Sequence, residues 1–92
     1  VVLFSRTHAS LDETATEIED EGNRALSIVG DVSREEDVHV LFRRVIDTYS
    51  RVDILVNCAG IVAVRPFVEM DAATWDHVLG VNLRGTFLCC LE

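Results

Sequence analysis

Lysine is absent from the 92 residues, and all eight basic side chains are arginine. Sixteen Asp and Glu residues leave a formal charge of -8. This balance works against nonspecific binding to nucleic acid, whose attraction depends on clustered positive side chains. It still permits a small anionic ligand, which one Arg or a helix N-terminus can hold. Proline occurs once and glycine five times, a composition unlike that of disordered or collagen-like chains. No apolar run approaches membrane-spanning length, and Val1 to Phe4 meets Arg6 too soon to be a signal peptide, so no membrane partner is expected. Cys58, Cys89 and Cys90 have neither the even count nor the spacing of a secreted disulfide scaffold. Free thiols in a reducing, cytoplasmic compartment are the simpler expectation. His8, His39 and His77 are dispersed and form no metal-ligand spacing.

What is present is 49% hydrophobic, enough for one small packed domain over residues 1–92. Val1 to Phe4 is continuously apolar and suits a strand covered on both faces of a parallel sheet. Ser10 and Glu13 stand in capping-box relation at the start of a helix that Gly22 and Asn23 should stop. Ala25 to Val29 reads as a second strand. Ser33 and Glu36 repeat the capping-box pattern before Val38, Leu41, Phe42, Val45, Ile46 and Tyr49 recur at helical spacing. Ile54, Leu55 and Val56 form a candidate third strand, again apolar enough for two-sided burial. Residues 61–70 read as a loop or short irregular helix. Asp71 is a candidate N-cap for a last helix whose inward face would include Trp75, Val78, Leu79, Leu83, Thr86 and Phe87. Strands alternating with helices at this length predict an α/β fold with parallel strands joined by right-handed crossovers.

In such a sheet, ligands collect beyond the carboxyl ends of the strands, which sorts the polar residues. After the first strand come Ser5 and Arg6, a hydroxyl donor and a planar guanidinium suited to phosphate, with no carboxylate between them and the strand. After the second come Asp31 and Val32; Asp31 can accept from a ligand amine or cap its own turn. After the third come Asn57, Ala59 and Gly60, small groups past which a ligand or a second backbone can approach closely. Asn82 places an amide on the inward stripe of the last helix, where an unpartnered amide costs on the order of 1–3 kcal/mol. It must therefore bond a backbone group or face a polar site.

Asp31-Val32, Asn57-Cys58-Ala59-Gly60 and Val81-Asn82-Leu83-Arg84-Gly85, taken in order, resemble the short-chain dehydrogenases/reductases. The resemblance implies a three-layer, Rossmann-type parallel sheet, present in part, from the second strand to the helix after the fourth strand of the full domain. It implies that Asp31 bonds an adenine ring with Val32 packed beside it, and that Asn57, Ala59 and Gly60 line the cofactor at the strand end. Cys58 stands where that family has a second Asn. Asn82 matches the active-site Asn that holds a water in the proton relay. Ser5 and Arg6 fall where members choose between cofactors, and resemble the phosphate-accepting type, so NADP is expected ahead of NAD. The substrate class implied is a small carbonyl compound or alcohol, and the parent protein is expected to be a homo-oligomer.

Neither a glycine-rich fingerprint nor a Ser with a Tyr-x-x-x-Lys pair lies within the sequence, and without lysine no alignment can supply the latter. The chain is accordingly expected to be an internal piece of an NADP-preferring oxidoreductase, inactive by itself. In the family sheet another strand separates the first strand here from the third, so a gap with two open edges is expected. A noncatalytic Rossmann-type binding or structural protein is the alternative, and a methyltransferase-like domain a more distant one.

Overall fold

A computed structural model describes Val1–Glu92. Its elements are β1 (Val2–Ser5), α1 (His8–Asp20), β2 (Leu26–Val29), α2 (Glu35–Tyr49), a 3-10 turn (Phe67–Glu69), α3 (Ala72–Leu79), a π turn (Gly80–Gly85) and α4 (Thr86–Leu91). β1 and β2 pair in parallel, with Val2 opposite Leu26 and Ser5 opposite Val29. Helices flank this small sheet, giving a partial Rossmann-type α/β architecture.

α2 is the packing centre. Its buried residues Val38, Leu41 and Val45 lie on one stripe, as three- and four-residue steps require. Leu41 and Val45 join Ile28 in one core cluster, against Val2, Phe4 and Leu26 of the sheet. Val38 joins Leu88 and Cys89 of α4 in a second cluster, and Phe42 packs against both. Full burial of one such side chain stabilises by roughly 1.5–3 kcal/mol. The opposite pleat of the strands is left to α1, whose only buried residue is Leu11.

The helix ends follow local chemistry, though not always as the sequence suggested. α1 stops where expected: Gly22 takes φ +82°, and the amides of Gly22 and Asn23 return to the carbonyls of Glu19 and Ile18. The two capping boxes do not form. α1 starts at His8 with Thr7 as its N-cap, because Ser10 donates its hydroxyl to the Thr7 carbonyl. α2 starts at Glu35, because Ser33 is drawn to the Asp31 carboxylate. Asp71 does cap α3, accepting the Thr74 amide at 2.6 Å.

The third expected strand is absent. Residues 54–60 have no regular secondary structure, and Ile54 and Val56 are 82% and 74% exposed. A strand exists through its neighbours, and none lies alongside this segment. Between it and β1 opens an apolar cleft of about 1020 Å³, whose walls include Val2, Phe4, Leu41, Ile54 and Val56. In β1 the carbonyls of Val1 and Ser5 accept from Leu26 and Gly30, so alternation turns the backbone groups of Val2 and Phe4 toward the cleft. β1 is half-buried rather than covered on both faces. The radius of gyration, 15.1 Å, exceeds the roughly 12 Å of a compact chain of this length.

The last helix also departs from expectation. Trp75, Leu79, Leu83 and Phe87 are exposed, and the buried positions are Val81, Gly85, Leu88 and Cys89. A π turn inserts a residue into the helical repeat, which rotates the residues beyond it by about 100° and brings Leu88 and Cys89 inward in place of Phe87. Trp75 and Leu79 precede it and are exposed because no element packs on that side of α3.

A polypeptide of residues 1–92 alone is expected to bind a hydrophobic dye and to lose near-ultraviolet circular dichroism gradually on heating. A sharp two-state transition from a monomer would contradict the open-edge account.

Candidate functional site

The aligned carboxyl ends of β1 and β2 build one side of the site. The Gly30 amide donates to the Ser5 carbonyl at 3.0 Å, so both strands end level. At Gly30 a Cβ would fall 2.6 Å from the Phe4 ring and 3.2 Å from the Asp37 Cβ, so a larger residue here would displace the Phe4 ring. Ser5 Oγ accepts the Thr7 amide at 3.3 Å and keeps its own hydroxyl hydrogen to give. Arg6 is exposed and engages no carboxylate in the chain. The first turn of α1 follows directly, and its leading amides have no acceptor within the helix.

Asp31 lies across from Arg6. Its Oδ1 accepts the Ser33 amide at 2.9 Å and the Ser33 hydroxyl at 2.7 Å, while its own amide donates to Asp37 at 2.9 Å. Oδ2 makes no hydrogen bond within the chain and can accept one from a ligand. Desolvation opposes ionisation of this carboxyl. The two Ser33 bonds and the charges of Arg6 and His77 outweigh it, and the pKa falls below the ordinary value.

The other side is built from residues 57–61 and the π turn. Asn82 is exposed rather than inward-facing, yet its amide is doubly engaged: Oδ1 accepts the Ile61 amide and Nδ2 donates to the Ile61 carbonyl, each at 2.8 Å. One Nδ2 hydrogen and one Oδ1 lone pair remain for a water or ligand. Gly60 lies against the same Oδ1. Asn57 donates to the Cys90 sulfur at 3.6 Å, a contact with α4 in place of a sheet partner.

Ser5, Val32, Asn57 and Ala59 line the apolar cleft together, whereas Arg6, Asp31, Gly60 and Asn82 stand outside its wall. Residues for which the sequence suggested no role at the site complete the frame. Ser33 and Asp37 hold Asp31, Ile61 receives Asn82, and Arg84 bonds the Ser33 carbonyl at 2.6 Å. The Asp31-x-Ser33 spacing of an Asx turn was the available signal for Ser33, and it competed with the capping-box reading. No three His, Cys, Asp or Glu side chains come together as a metal site.

The signature of the short chain dehydrogenase family matches residues 1–92. A 3-oxoacyl-[acyl-carrier-protein] reductase of Synechocystis sp. is 33% identical over 89 residues, which are 97% of this chain and 36% of that protein. The crystal structure of a 3-ketoacyl-ACP reductase from Sinorhizobium meliloti 1021 superposes with a TM-score of 0.92 at 34% identity, covering 99% of this chain and 36% of that one. An L-sorbose reductase from Gluconobacter frateurii, solved with NADPH and L-sorbose, gives a TM-score of 0.91 at 25% identity over 98% of this chain and 35% of that one. The chain spans about a third of the length of the curated relatives it matches.

Because the folded Asp31 pKa is lowered, its contribution to stability is complete above the ordinary carboxylate value and is lost as pH falls through the lowered one. Denaturation midpoints of the full-length protein and its Asp31→Asn variant should differ at neutral pH, and the difference should begin to shrink only as pH falls below about 4. A difference that persists unchanged in acid would contradict this assignment.

Proposed function

Since this chain belongs to the short chain dehydrogenase family, we propose that it forms the adenosine-binding part and one wall of the reaction centre of an NADP-preferring oxidoreductase. That protein would interconvert a small carbonyl compound and the corresponding secondary alcohol. The observation that carries the reading is Arg6, which has no ion pair of its own and leaves β1 beside Asp31 at the level ends of two parallel strands. A 2′-phosphate fits this setting: the guanidinium offers a planar fork, Ser5 a hydroxyl hydrogen, and α1 its first amides. No carboxylate follows β1 to repel it, as one would in a site built for a bare ribose diol.

In this scheme Asp31 Oδ2 takes a hydrogen bond from the adenine amine, and Val32 packs against the ring. Asn57, Ala59 and Gly60 bring backbone close to the cofactor. Asn82 fixes the Ile61 backbone and offers its remaining Nδ2 hydrogen to a water that moves protons. Nicotinamide, when bound, supplies or accepts the hydride; the protein orients the reacting groups. The acid/base Tyr and its Lys lie outside these residues, so residues 1–92 alone are expected to be inactive. The exposed stripe Trp75, Leu79, Leu83 and Phe87 supports helix-mediated homo-oligomers, and three free thiols suit a cytoplasmic setting.

In the full-length protein, Arg6→Ala should weaken NADPH binding about tenfold while leaving NADH binding nearly unchanged, as titration of cofactor fluorescence would measure. Equal losses for both cofactors, or a wild-type preference for NADH, would contradict the NADP assignment. Asn82→Ala should lower kcat by about 10- to 100-fold with little change in the KM for NADPH. Unaltered kcat would remove Asn82 from the relay.

A further inference from the structure

Two contacts that the cofactor reading does not use join the loop after β2 to the π turn. Arg84 donates from Nη1 to the Ser33 carbonyl at 2.6 Å and from Nη2 to Glu35 Oε2 at 3.4 Å. One residue on, Gly85 lies so near Val32 that a Cβ would come 2.8 Å from Cγ2 and 3.2 Å from the carbonyl oxygen. Ser33 is also the residue whose amide and hydroxyl hold Asp31. Two residues before Arg84, Asn82 grips both backbone groups of Ile61. The contacts therefore run from Asp31 through Ser33 to Arg84, and the backbone of the π turn joins Arg84 to Asn82 and so to Ile61.

The π turn makes this chain of contacts consequential. π turns are rare and occur mostly as single turns inside α-helices, frequently at functional sites; in this one Asn82, Arg84 and Gly85 each meet a group outside the helix. Relaxation to an ordinary α-helix would remove the extra residue and rotate Asn82 relative to α4 by about 100°, off the Ile61 backbone. An α-helical turn is the alternative arrangement that such contacts would act against, and coupling between separate sites works by biasing a choice of this kind. Arg84 suits the task because its rigid fork reaches a carbonyl and a carboxylate at once, where a lysine would supply a single point charge.

We propose that Arg84 is a positioning residue that ties the 31–33 loop to the π turn, so that an adenosine phosphate ordering this loop also fixes Asn82 on the Ile61 backbone. The identity of the ligand rests on the function proposed above; the mechanical link between loop and turn does not.

Amide hydrogen exchange in the full-length protein separates the two. Without ligand, Ile61 should exchange about fivefold or more faster in Arg84→Ala than in wild type, while Leu41 and Val45 of α2 stay unchanged. Saturating adenosine 2′,5′-bisphosphate should slow Ile61 exchange in wild type and not in the variant. An unchanged Ile61 rate in a folded variant overturns the proposal. So does equal slowing by the nucleotide in both proteins. Faster Ile61 exchange in the variant, with no nucleotide binding to wild type, would instead overturn the cofactor reading and keep the link. If Arg84→Ala accelerates every amide together, Arg84→Lys decides: local acceleration at Ile61 with α2 steady supports the proposal, and parallel acceleration overturns it.

Discussion

The packing of Phe42 against two small cores holds the parts of this chain in one frame. On one side lie Ile28, Leu41 and Val45 under the sheet; on the other lie Val38, Leu88 and Cys89 between α2 and α4. No strand connects these halves, since the sheet has only two strands. The relation between the β1–β2 strand ends and the helix bearing Asn82 therefore depends on α2 presenting adjacent stripes to both. Because α2 begins immediately after the Asp31–Ser33 loop, the same helix also fixes where that loop lies.

Edge chemistry explains why residues 54–56 are not paired as a strand among these 92 residues. β1 has one satisfied edge and one that turns the Val2 and Phe4 backbone toward an apolar cleft. Across that cleft, residues 54–56 have strand-like composition without strand pairing. Side chains suited to two-sided burial remain exposed, because hydrophobic composition cannot form a ladder without a neighbouring backbone. Four of the candidate residues, Ser5, Val32, Asn57 and Ala59, border this cleft.

At the other end, a short stretch of irregular helix does what a regular one could not. The π turn brings Asn82 onto Ile61, Arg84 onto Ser33 and Gly85 onto Val32 within six residues. Arg84 and Glu35 are largely solvated, so their ion pair adds little by itself. The short bond from Arg84 to a backbone carbonyl and the close Gly85–Val32 contact carry the geometry.

The apolar periodicity of α2, the Gly22 stop and the Asp71 cap were legible in the sequence because each depends on neighbours a few residues away. The α/β alternation and the family resemblance were legible for a related reason: spacing along a chain survives without knowledge of contacts. Three features were decided only by tertiary structure. Ser33 serves Asp31 rather than α2, because an available carboxylate competes with the helix amides for its hydroxyl. Residues 54–56 are not a strand, because pairing requires a partner across space. Asn82 faces a loop rather than the core, because it lies in a π turn and bonds the Ile61 backbone, a partner 21 residues away in sequence. The sequence by itself determined which residues can bond, cap and bury; the folded chain decided which of several competent partners each one meets, since that choice depends on distances the linear order does not contain.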